Sequence, residues 1–465
     1  MEFRYFLKSL CAVGILVVLL TACAGAPDSS SWRVRTTTDN IATNVDADSR
    51  QSLTNLPGNP SLSDYLQVAA LNNPGLEAAF NRWKAALELI PQVRALPDPK
   101  FTYGYFIEQV ETRVGPQRQR FGLAQTFPWF GKLRLKGDRA GERASAAKEA
   151  YEQAKLKLFY EVKDAYYELS YLRQAISLTQ ENIELVKHLE GVAQAKFRAG
   201  SDVTGVVKAQ VELGKLEDKL STMQDLREPI SSRLNASLNR EISAFVPWPE
   251  GVQSSGVSFA DDEVFQSLLA ASPELKELAA TIRESERSVE LAKKAFYPDL
   301  TLGVDYVDTQ DALFPGVVDS GKDPLMVMGS INIPIWLGKN RAGVKEAEAN
   351  RRAARANLED RGNVLVSDLK MLLYRFRDAE RKIDLFGGTL TPLAENSLDV
   401  AEQAYQTGRS DFLELIDAQR LLLDIQLSYQ RAVADREQRL AQIEMIIGGP
   451  IVSETGSASN QLTKP

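Results

Sequence analysis

The side chains that most often carry chemistry are scarce in this chain of 465 residues. It holds one histidine, His188, and two cysteines, Cys11 and Cys23. Zinc is held by clusters of His, Cys and carboxylate, and thiol chemistry needs an activated thiolate, so neither is expected. Any Ser/His/Asp or Cys/His set would have to be built on His188, which lies in a helical run beside Leu189 without an evident partner. The stretch "GVVDSGKD" at 316–323 has the spacing of a phosphate-binding P-loop, but Asp323 stands where that loop needs Ser or Thr. It also lies between two strands instead of joining a strand to a helix, so it reads as an external hairpin loop, as does "VETRVGPQRQ" at 110–119. An enzyme, a metal site and a cofactor are therefore not expected. The formal charge is −7 and both signs are spread along the chain, so nucleic acid is not an expected partner.

Cys23 has a different prospect. Arg4 and Lys8 precede an apolar run from Leu10 to Leu20, too short for a membrane span of ~20 residues and suited to a secretory signal. The ending "LTAC" at Leu20–Cys23 resembles the lipobox of bacterial lipoproteins. That resemblance implies cleavage before Cys23 and acylation of its thiol and new amino terminus, leaving a mature chain without a disulfide. Ala24 rather than Asp follows, which by the enterobacterial sorting rule implies the outer membrane. Residues 1–22 are thus expected to be a signal peptide, and 23–60, rich in Ser, Thr, Asn, Asp and Pro, an acylated extended tether.

Past the tether the chain repeats. The stretch 72–105 answers 271–306: each runs from a Pro-x-Leu start through an alanine-rich helix to Pro-Asp and an alternating segment. "TFPWFGK" (126–132) answers "NIPIWLGK" (332–339), and "AKFRAGSDVTGVVKAQ" (195–210) answers "AYQTGRSDFLELIDAQ" (404–419). The first repeat spans 61–244, with a helix, a β-hairpin at 100–127 and a helical hairpin at 132–240 whose tip lies near 200. A linker fills 245–258. The second repeat spans 259–449, with a β-hairpin at 299–335 and a helical hairpin at 340–448 whose tip lies near 408; a polar tail fills 450–465.

The strand segments alternate with period two over roughly ten residues, which suits either a half-buried soluble strand or a lipid-facing barrel strand. Phe101, Tyr103, Tyr105 and Ile107 oppose Thr102 and Gly104; Phe121, Leu123 and Phe127 oppose Arg120, Gly122, Ala124 and Thr126. Leu300, Leu302, Val304 and Tyr306 oppose Thr301, Gly303 and Asp305; Leu325, Val327, Ile331, Ile333 and Ile335 oppose Ser330 and Asn332. Four strands cannot close a barrel, and an open edge is not tolerated in lipid, so membrane strands would require several chains to share one barrel. The helices carry heptad seams: Leu158, Val162, Ala165, Leu169, Leu172, Ile176, Thr179, Ile183 and Val186 step by four and three. Leu365 to Ile383 and Leu415 to Ala432 do the same. An arm from Lys132 to Phe197 would extend ~100 Å, which implies a rod. Gly200 and Gly408 turn the rods, with Asp202 and Ser410 expected as caps of the return helices.

The duplicated strand pair and long hairpin, the two glycine tips and the lipobox together resemble the TolC-type outer-membrane efflux proteins, over about residues 60–448. The resemblance implies an α+β membrane protein, mostly α, assembled as a homotrimer. Its strands would form a shared 12-stranded β-barrel that continues into a periplasmic α-helical barrel. It implies that Pro128 and Pro334 end the strands, that Trp129 and Trp336 mark the passage from barrel to helix, and that Gly131 and Gly338 belong to that junction. It places Glu414 and Asp417 on the family's acidic ring at the periplasmic constriction, and three-residue spacing puts both on one helix face. The first hairpin offers only Asp202 near its tip, with Val206 and Val207 where acids might be sought. Adaptor contacts are implied at Phe197, Gly200, Ser201 and Asp202, and at Tyr405, Gly408, Arg409 and Ser410.

The function so implied is the exit duct of a tripartite efflux system in the outer membrane of a Gram-negative bacterium, lipid-anchored and spanning the periplasm. Its partners would be outer-membrane lipid, a periplasmic adaptor (membrane fusion protein) and an inner-membrane pump of the resistance-nodulation-division type. The junction "LAQTFPWFGKLRLKGD" (123–138) is similar to members that accompany heavy-metal pumps, so metal ions or small toxic compounds are the expected cargo. Six methionines and one histidine make no ladder of soft ligands, so selection is expected to reside in the pump. A lipid-tethered periplasmic coiled-coil scaffold without a pore is the competing reading; it would not need two pairs of lipid-suited strands.

Overall fold

The computed structural model describes residues 56–200, 202–249 and 259–451. The signal and tether with Cys23, Ser201, most of the linker and nearly all of the polar tail lie outside the described residues. Along the chain, α1 (Leu62–Asn72) and α2 (Pro74–Arg94) lead into the hairpin β1 (Lys100–Tyr105) and β2 (Gln117–Phe127). The long helix α3 (Lys132–Arg198) follows, with its return α4 (Thr204–Asp225) and α5 (Arg227–Ser237). The order then recurs: α6 (Asp261–Ala271), α7 (Pro273–Lys293), β3 (Leu300–Thr309), β4 (Leu325–Ile331), α8 (Leu337–Ile383), α9 (Thr391–Gln406) and α10 (Phe412–Ile447). The protein is mostly helical.

Local chemistry explains the short breaks. Ser61 and Asp64 start α1 with a reciprocal capping box, the Asp64 amide donating to Ser61 Oγ at 3.3 Å and the Ser61 amide to Asp64 Oδ2 at 2.8 Å. Pro74 and Pro273 then open α2 and α7, positions where the missing amide would have had no helical partner. Pro229 sits in the first turn of α5, so the return arm of the first hairpin is broken at Leu226.

The strands form one antiparallel sheet in chain order, β1-β2-β3-β4. Its middle pair joins the repeats, with Phe127 opposite Leu300, Ala124 opposite Gly303 and Gly122 opposite Asp305. Residues opposite one another share a face, so the sheet has two unlike sides. One bears a bare apolar surface: Phe101, Tyr103 and Val327 are 65%, 53% and 77% exposed. On the other, Arg120 donates to Asp305 at 3.2 and 2.9 Å, and Asp305 is buried. β1 and β4 are the open edges.

The heptad seam of α3 is buried along its length, from Leu158 to Val186, except that Ile176 is half-buried and its neighbour Ala175 takes the inner place. Its 67 residues span ~100 Å. Leu365, Leu369, Leu372, Phe376 and Ala379 of α8 are likewise buried, against α6 and the end of α10. The second outward arm nevertheless differs from a continuous rod. Asp384–Leu390 forms a wide π-helical turn between α8 and α9. Pro392 has no amide for the Gly388 carbonyl a turn earlier, and the Phe386 carbonyl accepts from both the Thr391 amide and, at 2.7 Å, its hydroxyl. Gly387 is required there by close approach: a Cβ would lie 2.7 Å from the Tyr429 ring of α10. Among the described residues no helix is long and apolar enough to cross a membrane, a statement that does not bear on strands.

The seam carries the stability of this rod. Leu369→Ala, at a fully buried position, should lower unfolding stability by about 2–5 kcal/mol, seen as a lower thermal midpoint in detergent by circular dichroism.

Candidate gate, hairpin tips and sheet-to-helix junction

The acids Glu414 and Asp417 lie one turn apart on the exposed face of α10, whose opposite face buries Leu415, Ile416 and Ala418. Asp411 caps this helix, its Oδ1 accepting from the amides of Leu413 at 2.7 Å and Glu414 at 3.0 Å. Ser410, the cap expected from sequence, is one residue too early; its Oγ is buried without a hydrogen-bond partner. Asp202 likewise precedes the start of α4 by two residues and accepts from the Thr204 side chain. That bond, with amide donors from the same turn, holds its carboxyl below the usual carboxylate range.

The two acids are not equivalent. Asp417 accepts from Arg420 Nη1 at 3.3 Å, while the other arm of Arg420 binds Glu212 of α4. Glu212 is buried, so the first hairpin does bring an acid to this level, beyond Val206 and Val207, but one already neutralised from the second hairpin. Sequence reasoning passed over both Arg420 and Glu212, since 208 residues separate them. No ion pair of Glu414 is found among the described residues.

At the tips Gly200 and Gly408 have φ of 102° and 74°, left-handed values that a side chain would strain. The Arg409 amide returns to the Ala404 carbonyl at 2.9 Å, closing the second tip. Phe197, Asp202 and Arg409 are exposed. Tyr405 corrects the expectation placed on it: its ring is buried, edge-on to Phe412 at 5.4 Å and beneath the Lys196 ammonium at 3.9 Å. It belongs to the core of the tip, packed between Lys196 of α3 and Phe412 of α10. His188 is a surface residue of α3, with Nε2 3.9 Å from Glu402.

The junction below the sheet is the most tightly built of these places. β2 ends at Phe127, directly before Pro128. The next free amide, that of Trp129, donates to Asp299 Oδ1 at 2.7 Å, and Lys132 Nζ reaches the same oxygen at 2.7 Å and the Tyr297 carbonyl at 3.0 Å. The Trp129 ring stacks on Tyr297, centroids 5.5 Å apart. Gly131, at φ 84°, starts α3. The second junction differs: β4 ends at Ile331, three residues before Pro334, so that proline does not itself end the strand. The extra Ile335 between proline and tryptophan makes Trp336 the residue before α8 and puts Gly338 inside its first turn.

The geometry is thus an open sheet, bare on its apolar side, joined to two long helical hairpins. The family profile of outer membrane efflux proteins matches residues 65–240 and 264–449. Toxin and drug export protein A of Aggregatibacter actinomycetemcomitans is 25% identical over 65% of this chain and 66% of its own length. A probable outer membrane lipoprotein, SilC of Salmonella typhimurium, is 21% identical over 79% of this chain and 80% of its own. The solved outer-membrane channel OprN shares the fold, with a TM-score of 0.71 at 20% identity over 83% of this chain and 90% of that one. The chain belongs to the outer membrane efflux protein family. Its role is outer-membrane efflux.

The Asp299 junction makes a pH prediction. Burial alone would raise this carboxyl, but the Lys132 ammonium and the Trp129 amide outweigh it and hold the group below its ordinary 3.8. A depressed folded value stabilises above the unfolded one and is lost as pH falls through it. Asp299→Asn should therefore lower the thermal midpoint at neutral pH, and the gap to the parent protein should close below about pH 4.

Proposed function

We propose that three copies share a 12-stranded barrel in the outer membrane and continue as a helical duct, serving as the exit of a tripartite system. The observation that carries this reading is the four-stranded sheet with two open edges and a bare apolar face. Such edges are not tolerated in lipid, and a barrel shared between chains removes them. Lipid anchoring through Cys23 is part of the proposal, supported by the lipobox-like ending and by a relative named as a lipoprotein. The tips, with exposed Phe197, Asp202 and Arg409, would meet a periplasmic adaptor that joins the duct to an inner-membrane pump of the resistance-nodulation-division type. The cargo would be heavy-metal ions or small toxic compounds; one relative's name, toxin and drug export protein, favours the broader class. Selection would rest with the pump.

Glu414 and Asp417 from three copies would ring the periplasmic mouth and draw cations into it. Purified protein in a planar bilayer should give discrete cation-selective steps, blocked from one side by divalent cations. Because Arg420 already neutralises Asp417, Glu414→Ala should raise the half-blocking concentration about fivefold, the effect of losing ~1 kcal/mol of attraction. Asp417→Ala should do less. Equal block in the parent and the double variant would remove both acids from the mouth. Absence of conductance from all four proteins would favour the tethered scaffold.

A further inference from the structure

The two repeats superpose in strand register. Phe101 answers to Leu302, 201 positions on, and Leu123 to Gly329, 206 positions on; these shifts carry every β1–β2 pair onto the β3–β4 register. The β2–β3 pairing has no image within one chain, because its image would join β4 to β1, the two open edges. Beneath β2–β3 lies the junction of Lys132 and Trp129 with Asp299 and Tyr297. The same duplication supplies its counterparts: Lys339 and Trp336 for the first pair, Asp98 and Leu96 for the second. All four are exposed in a single chain, Trp336 at 73% and Leu96 at 45%, whereas the Lys132 and Asp299 side chains are only 13% and 29% exposed. Among the described residues neither Lys339 nor Asp98 has an ion-pair partner.

We propose that Lys339 and Trp336 of one copy close on Asp98 and Leu96 of a second copy. β4 then pairs with β1 so that Ile331 lies opposite Phe101, Ser330 opposite Thr102 and Met328 opposite Gly104. The proposal rests on the reading of a barrel shared between copies and specifies how the copies join. The register keeps each face whole: Ser330, Met328, Thr102 and Gly104 all belong to the polar side of the sheet, and Ile331 and Phe101 to the apolar side. A slip by one residue would set polar positions against apolar ones along the whole strand. The ring then alternates two kinds of junction, one within chains and one between them. The charge at each would be about as sheltered as Lys132 and Asp299 are, where an ion pair is screened less than on an open surface.

The test uses the full-length chain in outer membranes, with Ser330→Cys and Thr102→Cys in one molecule. Directly opposed strand residues have Cα atoms about 4.5–5.5 Å apart, within the range a disulfide spans. Oxidation should give covalent oligomers up to the trimer, and Ser330→Cys with Gly104→Cys, two residues out of register, should give far less. Separately, Lys339→Asp should lower the temperature at which the trimer dissociates, and adding Asp98→Lys should restore it. Trimers captured by amine crosslinking but without the Ser330–Thr102 disulfide, or with the Gly104 pairing in its place, would overturn this junction and leave the shared barrel standing. Failure of Asp98→Lys to restore a Lys339→Asp trimer would overturn the ion pair. A parent protein that is monomeric in the membrane would instead overturn the shared barrel itself.

Discussion

Backbone amides and carbonyls in hydrocarbon have no water to bond, and the rest of this structure follows from that demand. Four strands satisfy their inner neighbours and leave two rows of unpaired groups at β1 and β4. The sheet also turns large apolar side chains outward, Phe101, Tyr103 and Val327 among them, while the long helices bury an apolar seam. The chain must leave the sheet without abandoning a polar group, and the Pro128–Lys132 turn does this. Proline ends the β2 ladder because it has no amide to give, and the first amide after it is taken by Asp299. Lys132 balances that carboxylate at the start of α3, so strand end, charge pair and helix start are fixed by one side chain from the other repeat.

Below the sheet, length replaces breadth. A seam of alternating three- and four-residue steps can be extended without limit, but it fixes register weakly when every layer is alike. This rod contains a layer that is not alike: Gln419 is fully buried and donates to Asn182, itself nearly buried, inside the cluster nearest the tips. The π turn at Asp384–Leu390 breaks the repetition again, on the second arm only. One arm is therefore a single continuous helix and the other is two helices joined through a π turn, although both come from the same ancestral pattern. The divergence traces to one proline and to the glycine that makes room for Tyr429.

Periodicity made much of this legible. The strand alternation and the α3 seam could be read directly, because a buried face is a property of spacing along one segment. The two glycine tips were legible for a similar reason, since left-handed turns leave few choices of residue. What could not be read were pairings between distant segments. Asp299 reads as a strand-leading Pro-Asp in the sequence, and only the sheet brings it to Lys132. Arg420 reads as a solvated helix charge until α4 presents Glu212 to it. Tyr405 and Ser410 misled at close range: the five residues between α9 and α10 offer several geometries, and the choice between Ser410 and Asp411 as cap moves each side chain to another surface. The shared wording of the two junctions also concealed one inserted residue, Ile335, which shifts Trp336 and Gly338 relative to their counterparts.

The charge around Glu414 and Asp417 follows from these distant pairings more than from the acids themselves. A carboxylate in the first turn of a helix is favoured by the unsatisfied amides there, which suits Glu414 at the start of α10. Asp417, one turn on, shares Arg420 with Glu212, and that guanidinium sits between the return arms of the two hairpins. Separating those arms would leave Glu212 buried without its partner, which costs far more than losing an exposed pair. The return arms α4 and α10 are thus tied at this level by one ion pair. The outward arm α8–α9 carries a π turn and a proline, the features at which helices bend.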